Sequence, residues 1–216
     1  MSLLNENVRQ QVKNILSQMP RPVLLRVYAR KHDCPTCAEA VALANELGET
    51  TDRIHVQVVD PDQDAMPVPA IVLLAQEKDG AWKDDGVHFY GLPSGYEFAS
   101  LISSLQSVSK GEPDLSPAVR EALASLAAEV ELRVFVTPTC PYCPRAVVLA
   151  HQMALASPRV RAAMVEAMEF PEEADRHGVS GVPHTVINGS AHVVGAVPEE
   201  VLLDKILRVV GQPAAM

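Results

Sequence analysis

Four cysteines in this chain form two copies of one pattern, CPTC from Cys34 to Cys37 and CPYC from Cys140 to Cys143. Two intervening residues bring the members of such a pair within bonding distance after one turn of helix. The thiolate is the reactive species, and a free cysteine ionises only near about pH 8.5. Placed at the first turn of a helix, it faces unpaired backbone N–H groups and the positive end of the helix dipole, and both favour the anion. In CPYC, Pro141 suits that first turn, where a missing N–H costs nothing. The expected chemistry is attack by Cys140 on a target disulfide and release of the mixed disulfide by Cys143. Cys34 and Cys37 have the same geometry available. Asp33 would disfavour a thiolate on Cys34, and a protonated His32 would favour it; Cys140 follows a neutral Thr139. Cys140 is therefore expected to be the more readily ionised nucleophile.

Paired CxxC motifs also hold zinc through four thiolates, usually with the pairs about 15–20 residues apart. Here 102 residues separate the pairs, and proline after the first cysteine suits a helix start. Redox chemistry is thus preferred to a metal site or to inert thiols, and no metal ligand set is assigned.

The elements that must position these cysteines repeat. PVLLRVYARKHDCPTCAEAVALANEL and ELRVFVTPTCPYCPRAVVLAHQMAL read alike, with Cys34 and Cys140 lying 106 positions apart. Each has a strand-like run, Val23 to Ala29 or Leu132 to Thr137, a polar loop, the cysteine pair, and an alanine-rich helix. Upstream lie candidate helices from Asn5 to Ser17 and from Pro117 to Glu129, the latter capped by Ser116. Downstream come strands at Ile54 to Asp60 and Val160 to Met168, then Val68 to Ala75 and Val182 to Gly189. Short strands ending at Gly91 and Gly195 follow, and each half closes with a helix, near Ser94 to Ser107 and Pro198 to Val210. The second half has room for an extra helix at Pro171 to His177, while the first has a longer hairpin, QEKDGAWKDDG. The expected architecture is α/β: two tandem copies of one fold, each a central mixed sheet flanked by helices. The expected units are residues 1–112 and 113–216, with a turn-rich seam from Ser109 to Pro117.

Pro69 and Pro183, preceded by Val68 and Val182, occupy equivalent places. An X-Pro bond adopts the cis form at modest cost, leaving the preceding backbone edge able to pair with an extended target segment. These four residues are assigned to substrate binding, together with Tyr142 between the second pair of cysteines. His184 is weighed as a positive neighbour of the thiolate against a partly exposed strand histidine. Trp82 is read as local packing and the methionines as core filler.

Composition narrows the partners. A net charge of −9 without any Lys/Arg run argues against nucleic acid. The first 22 residues carry Glu6, Arg9, Lys13 and Arg21 with no unbroken apolar stretch, so neither a signal peptide nor a membrane anchor is expected. A reducing cytosol follows as the expected compartment, where four cysteines are seldom structural disulfides. Seventeen prolines and only five asparagines lean towards a thermophilic source.

Two CxxC-bearing halves, CPYC in the second, and a Val-Pro opening a strand in each resemble the protein disulfide oxidoreductases of thermophiles over essentially the whole chain. Those are tandem thioredoxin-fold, glutaredoxin-like proteins, and glutaredoxins share CPYC. The resemblance implies reduction, oxidation or isomerisation of protein disulfides without a bound cofactor, with the second pair more active. It implies electron supply from a thioredoxin-reductase-like flavoprotein and delivery to a peroxiredoxin. Carried over by position are Cys34, Cys37, Cys140 and Cys143, with Pro69 and Pro183 as cis-prolines. One departure concerns the buried aspartate that thioredoxins carry six residues before the first cysteine. Tyr28 and Val134 stand there, so the proton acceptor for the resolving thiol is unassigned. Two alternatives are a dedicated electron carrier like the tandem module of peroxide-reducing flavoproteins, whose first half has lost its cysteines, and a zinc-binding or chaperone-like module.

Overall fold

The computed structural model describes residues 3–61 and 66–211. Each half runs helix, strand, a helix opened by a cysteine, three strands and a closing helix, as the repeat implies, with one short helix added among the strands of the second half. The first half comprises α1 (Glu6–Leu16), β1 (Val23–Tyr28), α2 (Cys37–Gly48), β2 (Ile54–Val59), β3 (Ala70–Gln76), β4 (Trp82–Tyr90) and α3 (Glu97–Lys110). The second comprises α4 (Pro117–Ala124), β5 (Val130–Val136), α5 (Cys143–Ala156), β6 (Val160–Glu166), α6 (Pro171–Arg176), β7 (His184–Ile187), β8 (Ala191–Val194) and α7 (Glu199–Val209).

Local chemistry sets the helix starts. Asn5 caps α1 by accepting the Val8 N–H at 3.0 Å, and Ser116 caps α4 by accepting that of Val119 at 3.4 Å. Helix α4 stops at Ala124, short of the expected Glu129. Both Val-Pro strands begin one residue after their proline rather than at the valine, since a cis bond at each proline interrupts the extended backbone.

The two halves do not stand apart. All eight strands form one sheet in the order β2-β1-β3-β4-β6-β5-β7-β8. Strand β4 of the first half pairs in parallel with β6 of the second, from Val87 opposite Ala162 to Tyr90 opposite Val165. One contiguous core lies on a single face of this sheet and takes side chains from α1, α2, α3, α4, α5 and α7. Polar contacts tie α3 to α5 across the seam. His151, fully buried, donates through Nε2 to the His88 carbonyl oxygen at 3.1 Å and accepts the Ser104 hydroxyl at Nδ1, 2.8 Å away. Burial holds it neutral, with a pKa lowered to about 3. Gln152 reaches Ser107 and the Asp114 N–H, each at 2.7 Å.

The opposite face shows how the halves differ. In the second, α6 lays Ala174 over Phe135, Ala163, Val165 and Val186. The first has no counterpart helix there among the described residues. Instead β4 starts early, at Trp82, and this side chain packs with Tyr28 and Met66 on Leu24, Val72 and Leu74. The longer hairpin is thus paired as strand from Trp82 onward, admitted by a register shift between Leu73 and Leu74. Trp82 is local packing, as expected, and substitutes for a helix.

Candidate active site

Strand directions decide where the cysteine pairs lie. β1 is antiparallel to β3 and β3 to β4, while β4, β6 and β5 are mutually parallel. Hence β1 and β5 point the same way, and both CxxC motifs emerge at one end of the common sheet. Three strands stand between them, a separation of roughly 19 Å at about 4.8 Å per strand. Cysteines that bond need Cα atoms within about 7 Å, so the pairs do not exchange electrons with each other directly in this arrangement.

Within each pair the geometry is that of a disulfide. Cys34 and Cys37 are bonded with Cα atoms 5.4 Å apart, and Cys140 and Cys143 with Cα atoms 5.5 Å apart. The inner sulfurs open the helices: Cys37 is the first residue of α2 and Cys143 of α5. The outer cysteines, expected in the first helical turn, precede it instead, because Thr36 and Tyr142 are the cap residues. The outer cysteine remains at the mouth of the helix, one disulfide bond from its first residue. Exposure orders each pair: Cys34 is half-buried against 2 % for Cys37, and Cys140 is 8 % exposed against 0 % for Cys143. The Cys37 sulfur also accepts the Arg30 backbone N–H at 3.3 Å.

The Val68–Pro69 and Val182–Pro183 bonds are both cis. The Pro69 carbonyl accepts the Gly91 N–H and the Pro183 carbonyl that of Gly195, each at 2.8 Å. Pro69 is held one residue ahead of Ala70, which pairs with Tyr28; Pro183 precedes His184, paired with Phe135. Val68 and Val182 lean on the core cluster that contains Cys37, Cys140 and Cys143. Their main-chain N–H and C=O groups have no hydrogen-bond partner among the described residues. Tyr142 is 65 % exposed.

His184 answers to neither expectation. It is buried, lies 2.9 Å from His192 Nδ1 through its Nε2, and is pushed below the usual histidine pKa by burial, then by His192 and His177. It supplies no standing positive charge.

Each redox loop also touches the other half. Before Cys140, the Pro138 carbonyl accepts the Tyr96 N–H at 2.9 Å. Gly95 makes this approach possible: its φ is +59°, and a Cβ there would come 2.2 Å from the Pro138 oxygen. Between Cys34 and Cys37, the Thr36 hydroxyl donates to Glu169 Oε2 of the loop after β6. Glu169 Oε1 accepts the Leu92 N–H at 2.7 Å.

One residue that sequence patterning misses is Glu97, at the start of α3 and next to Tyr96. It is 1 % exposed, its Oε2 accepts the Ser100 hydroxyl at 2.5 Å, and its Oε1 has no partner among the described residues. Burial raises it to about 7, outweighing the Ser100 bond. A carboxylate at a helix start looks like an ordinary first-turn acid, so only its burial sets it apart. Among the described residues, no three or more His, Cys, Asp or Glu side chains converge as a metal site. Among them also, no helix is long and apolar enough to cross a membrane.

A thioredoxin domain family model matches residues 130–208. A protein disulfide oxidoreductase from Aeropyrum pernix K1 shares 30 % identity and superposes with a TM-score of 0.86, covering 98 % of this chain and 96 % of that one. The NTD_N/C domain of the alkylhydroperoxide reductase AhpF from Enterococcus faecalis shares the fold, at 24 % identity and a TM-score of 0.84 over 94 % of this chain and 99 % of that one. Among curated proteins, an alkyl hydroperoxide reductase of Pseudomonas aeruginosa is 26 % identical over 94 % of this chain and 37 % of its own length. An NADH dehydrogenase of Bacillus subtilis is 24 % identical over 94 % of this chain and 38 % of its own. The chain thus spans less than two fifths of these curated relatives. Two disulfide-forming CxxC pairs in tandem thioredoxin-like folds, with likeness over nearly full length to the Aeropyrum enzyme, place the chain in the protein disulfide oxidoreductase family, whose chemistry is thiol–disulfide exchange.

Proposed function

We propose that residues 1–112 and 113–216 act as two redox units, each taking a protein disulfide at its outer cysteine and releasing it with the inner one. The carrying observation is the graded burial within each bonded pair. Cys34 and Cys140 are the more exposed members of their pairs, while Cys37 and Cys143 lie deeper, each as the first residue of its helix. The outer thiolate attacks one sulfur of the target and expels the other as a thiolate. The inner thiol then loses its proton, attacks the outer sulfur, and frees the target as a dithiol. The unpaired main chain at Val68 and Val182, beside Pro69 and Pro183, supports binding of an extended target segment in strand fashion. Tyr142 lies open to the same partner.

Glu97 is the proposed acceptor of the Cys143 proton. It follows Tyr96, whose N–H is bonded to Pro138 just ahead of Cys140, and its free Oε1 is buried. With a pKa of about 7 it is mostly neutral below about pH 6 and mostly ionised above about pH 8, so its work as a base grows through that window. Glu97→Gln should slow resolution at least about 10-fold at pH 8, below the usual general-base range because a thiol can also release its proton to water. It should also erase the rate step near pH 7. Stopped-flow decay of a mixed disulfide across pH reads both effects; a profile unchanged by the substitution would remove Glu97 from the mechanism.

Electrons entering from a thioredoxin-reductase-like flavoprotein in a reducing cytosol fit this reading, and a peroxiredoxin is a fitting acceptor. The second reading, a dedicated carrier, is favoured by the 94 % of this chain that aligns with the Pseudomonas alkyl hydroperoxide reductase. Turnover on insulin with dithiothreitol tests the choice. An oxidoreductase speeds cleavage of the insulin disulfides above the rate of dithiothreitol alone, and a variant lacking both outer cysteines does not; a dedicated carrier adds nothing to the dithiothreitol rate.

A further inference from the structure

The two CxxC motifs differ in what holds their third residue. In the second pair this is Tyr142, exposed, with no hydrogen bond from its hydroxyl among the described residues. In the first it is Thr36, bonded to the carboxylate of Glu169, 133 residues along the chain and in the opposite half. That carboxylate is itself fixed. Its second oxygen takes the Leu92 N–H at 2.7 Å, and the Glu169 N–H donates to Glu166 Oε2, also at 2.7 Å. Glu166 is buried, with its carboxyl raised by that burial, and its Oε1 accepts the Met168 N–H at 3.2 Å. Gly91 lets this loop close on the first half, for a Cβ there would lie 2.6 Å from Glu166 Cβ and 3.0 Å from Glu169 Oε1.

A carboxylate so placed acts on Cys34 in two ways with one sign. Its negative charge disfavours a thiolate two residues from its anchor. It also engages the one hydroxyl proton of the CPTC motif, which would otherwise be free to stabilise a sulfur anion. We propose that Glu169 is a positioning residue of the first redox pair, supplied by the other half, which holds Thr36 and makes Cys34 a less readily ionised nucleophile than Cys140. This rests on the reading of Cys34 and Cys37 as a working redox pair. The other charged groups around the motif, among the described residues, are Arg30, Lys31, His32 and Asp33 of its own loop, Glu39 one turn into α2, and Glu166. Asp33 acts in the same direction as Glu169; Arg30 and Lys31 oppose it.

The test is the rate of iodoacetamide alkylation against pH in the reduced full-length chain, with Cys34 and Cys140 peptides resolved by mass. Glu169→Gln keeps the shape of the side chain and removes its charge. The Cys34 profile should move at least about half a pH unit lower, which is ~3-fold more thiolate near neutrality, while that of Cys140 stays in place. Thr36→Val keeps the charge and should produce no such downward shift. An unmoved Cys34 profile in Glu169→Gln, an equal shift at Cys140, or the same downward shift in Thr36→Val would each overturn the proposal. Failure of the underlying redox reading is seen separately, in the parent chain: its first pair would then not re-form a disulfide with oxidised glutathione.

Discussion

Cys140→Ser leaves about a tenth or less of the parent rate of insulin reduction, whereas Cys34→Ser leaves about nine tenths or more. A serine hydroxyl is not ionised near neutral pH and cannot form the mixed disulfide, so each substitution silences one unit outright. The inequality comes from what surrounds the outer sulfur. Cys34 follows Asp33, which is exposed and held at φ 57°, and is followed by Thr36 on the Glu169 carboxylate. Cys140 follows Thr139 and precedes Tyr142, and neither carries a charge near neutral pH. Because the pairs stand roughly 19 Å apart on the sheet, neither rescues the other by internal exchange, and the two activities should add. Initial rates by turbidity, with dithiothreitol as reductant, check this. Equal rates in Cys140→Ser and the parent would refute the ranking of the sites.

Removal of the inner cysteine has a different signature. Cys143→Ser keeps the attacking sulfur at the helix mouth but deletes the group that expels the target. Attack therefore proceeds and resolution stops. Under mild oxidation Cys140 should accumulate in mixed disulfides with protein substrates or glutathione, with turnover at this site reduced by on the order of 10²-fold or more, since release then depends on an external thiol. The other cysteine pair stands roughly 19 Å away on the sheet, so no other thiol of the chain takes the place of Cys143. Non-reducing electrophoresis and intact mass read the adducts, and dithiothreitol should dissolve them. A Cys143→Ser chain that forms none under these conditions would contradict the two-step mechanism.

The features legible in the sequence are those written locally. The cysteine spacing, the Ser116 cap with Pro117 behind it, the cis Val-Pro bonds and the room for α6 all depend on neighbours a few residues away, and all are in the structure. The outer cysteines lie just ahead of their helices rather than in the first turn because Pro35 and Pro141 fit the turn before a helix as well as its first turn. What is not legible depends on pairing across the chain. That β4 joins β6 follows from Val87 to Tyr90 meeting Ala162 to Val165, a match invisible to periodicity. Glu97 reads as a first-turn acid and Glu169 as a loop acid until the seam buries the one and brings the other to Thr36. His184 illustrates the same limit, for its charge is decided by burial and by His192 and His177 rather than by its place after Pro183. Trp82 reads as packing from its neighbours alone, but its service in place of a helix emerges only with the sheet.

Equilibration of each pair, isolated by serine substitution of the other, against graded glutathione or dithiothreitol buffers probes the redox assignment with least intervening inference. Counting alkylated thiols by mass, two electrons should be taken up per pair in one reversible step. The midpoints should fall roughly within the −270 to −200 mV spanned by thioredoxins and glutaredoxins, with Cys140–Cys143 the less reducing of the two. A pair that stays dithiol or stays disulfide across the whole series, or four thiols released only on removal of bound zinc, would contradict the account.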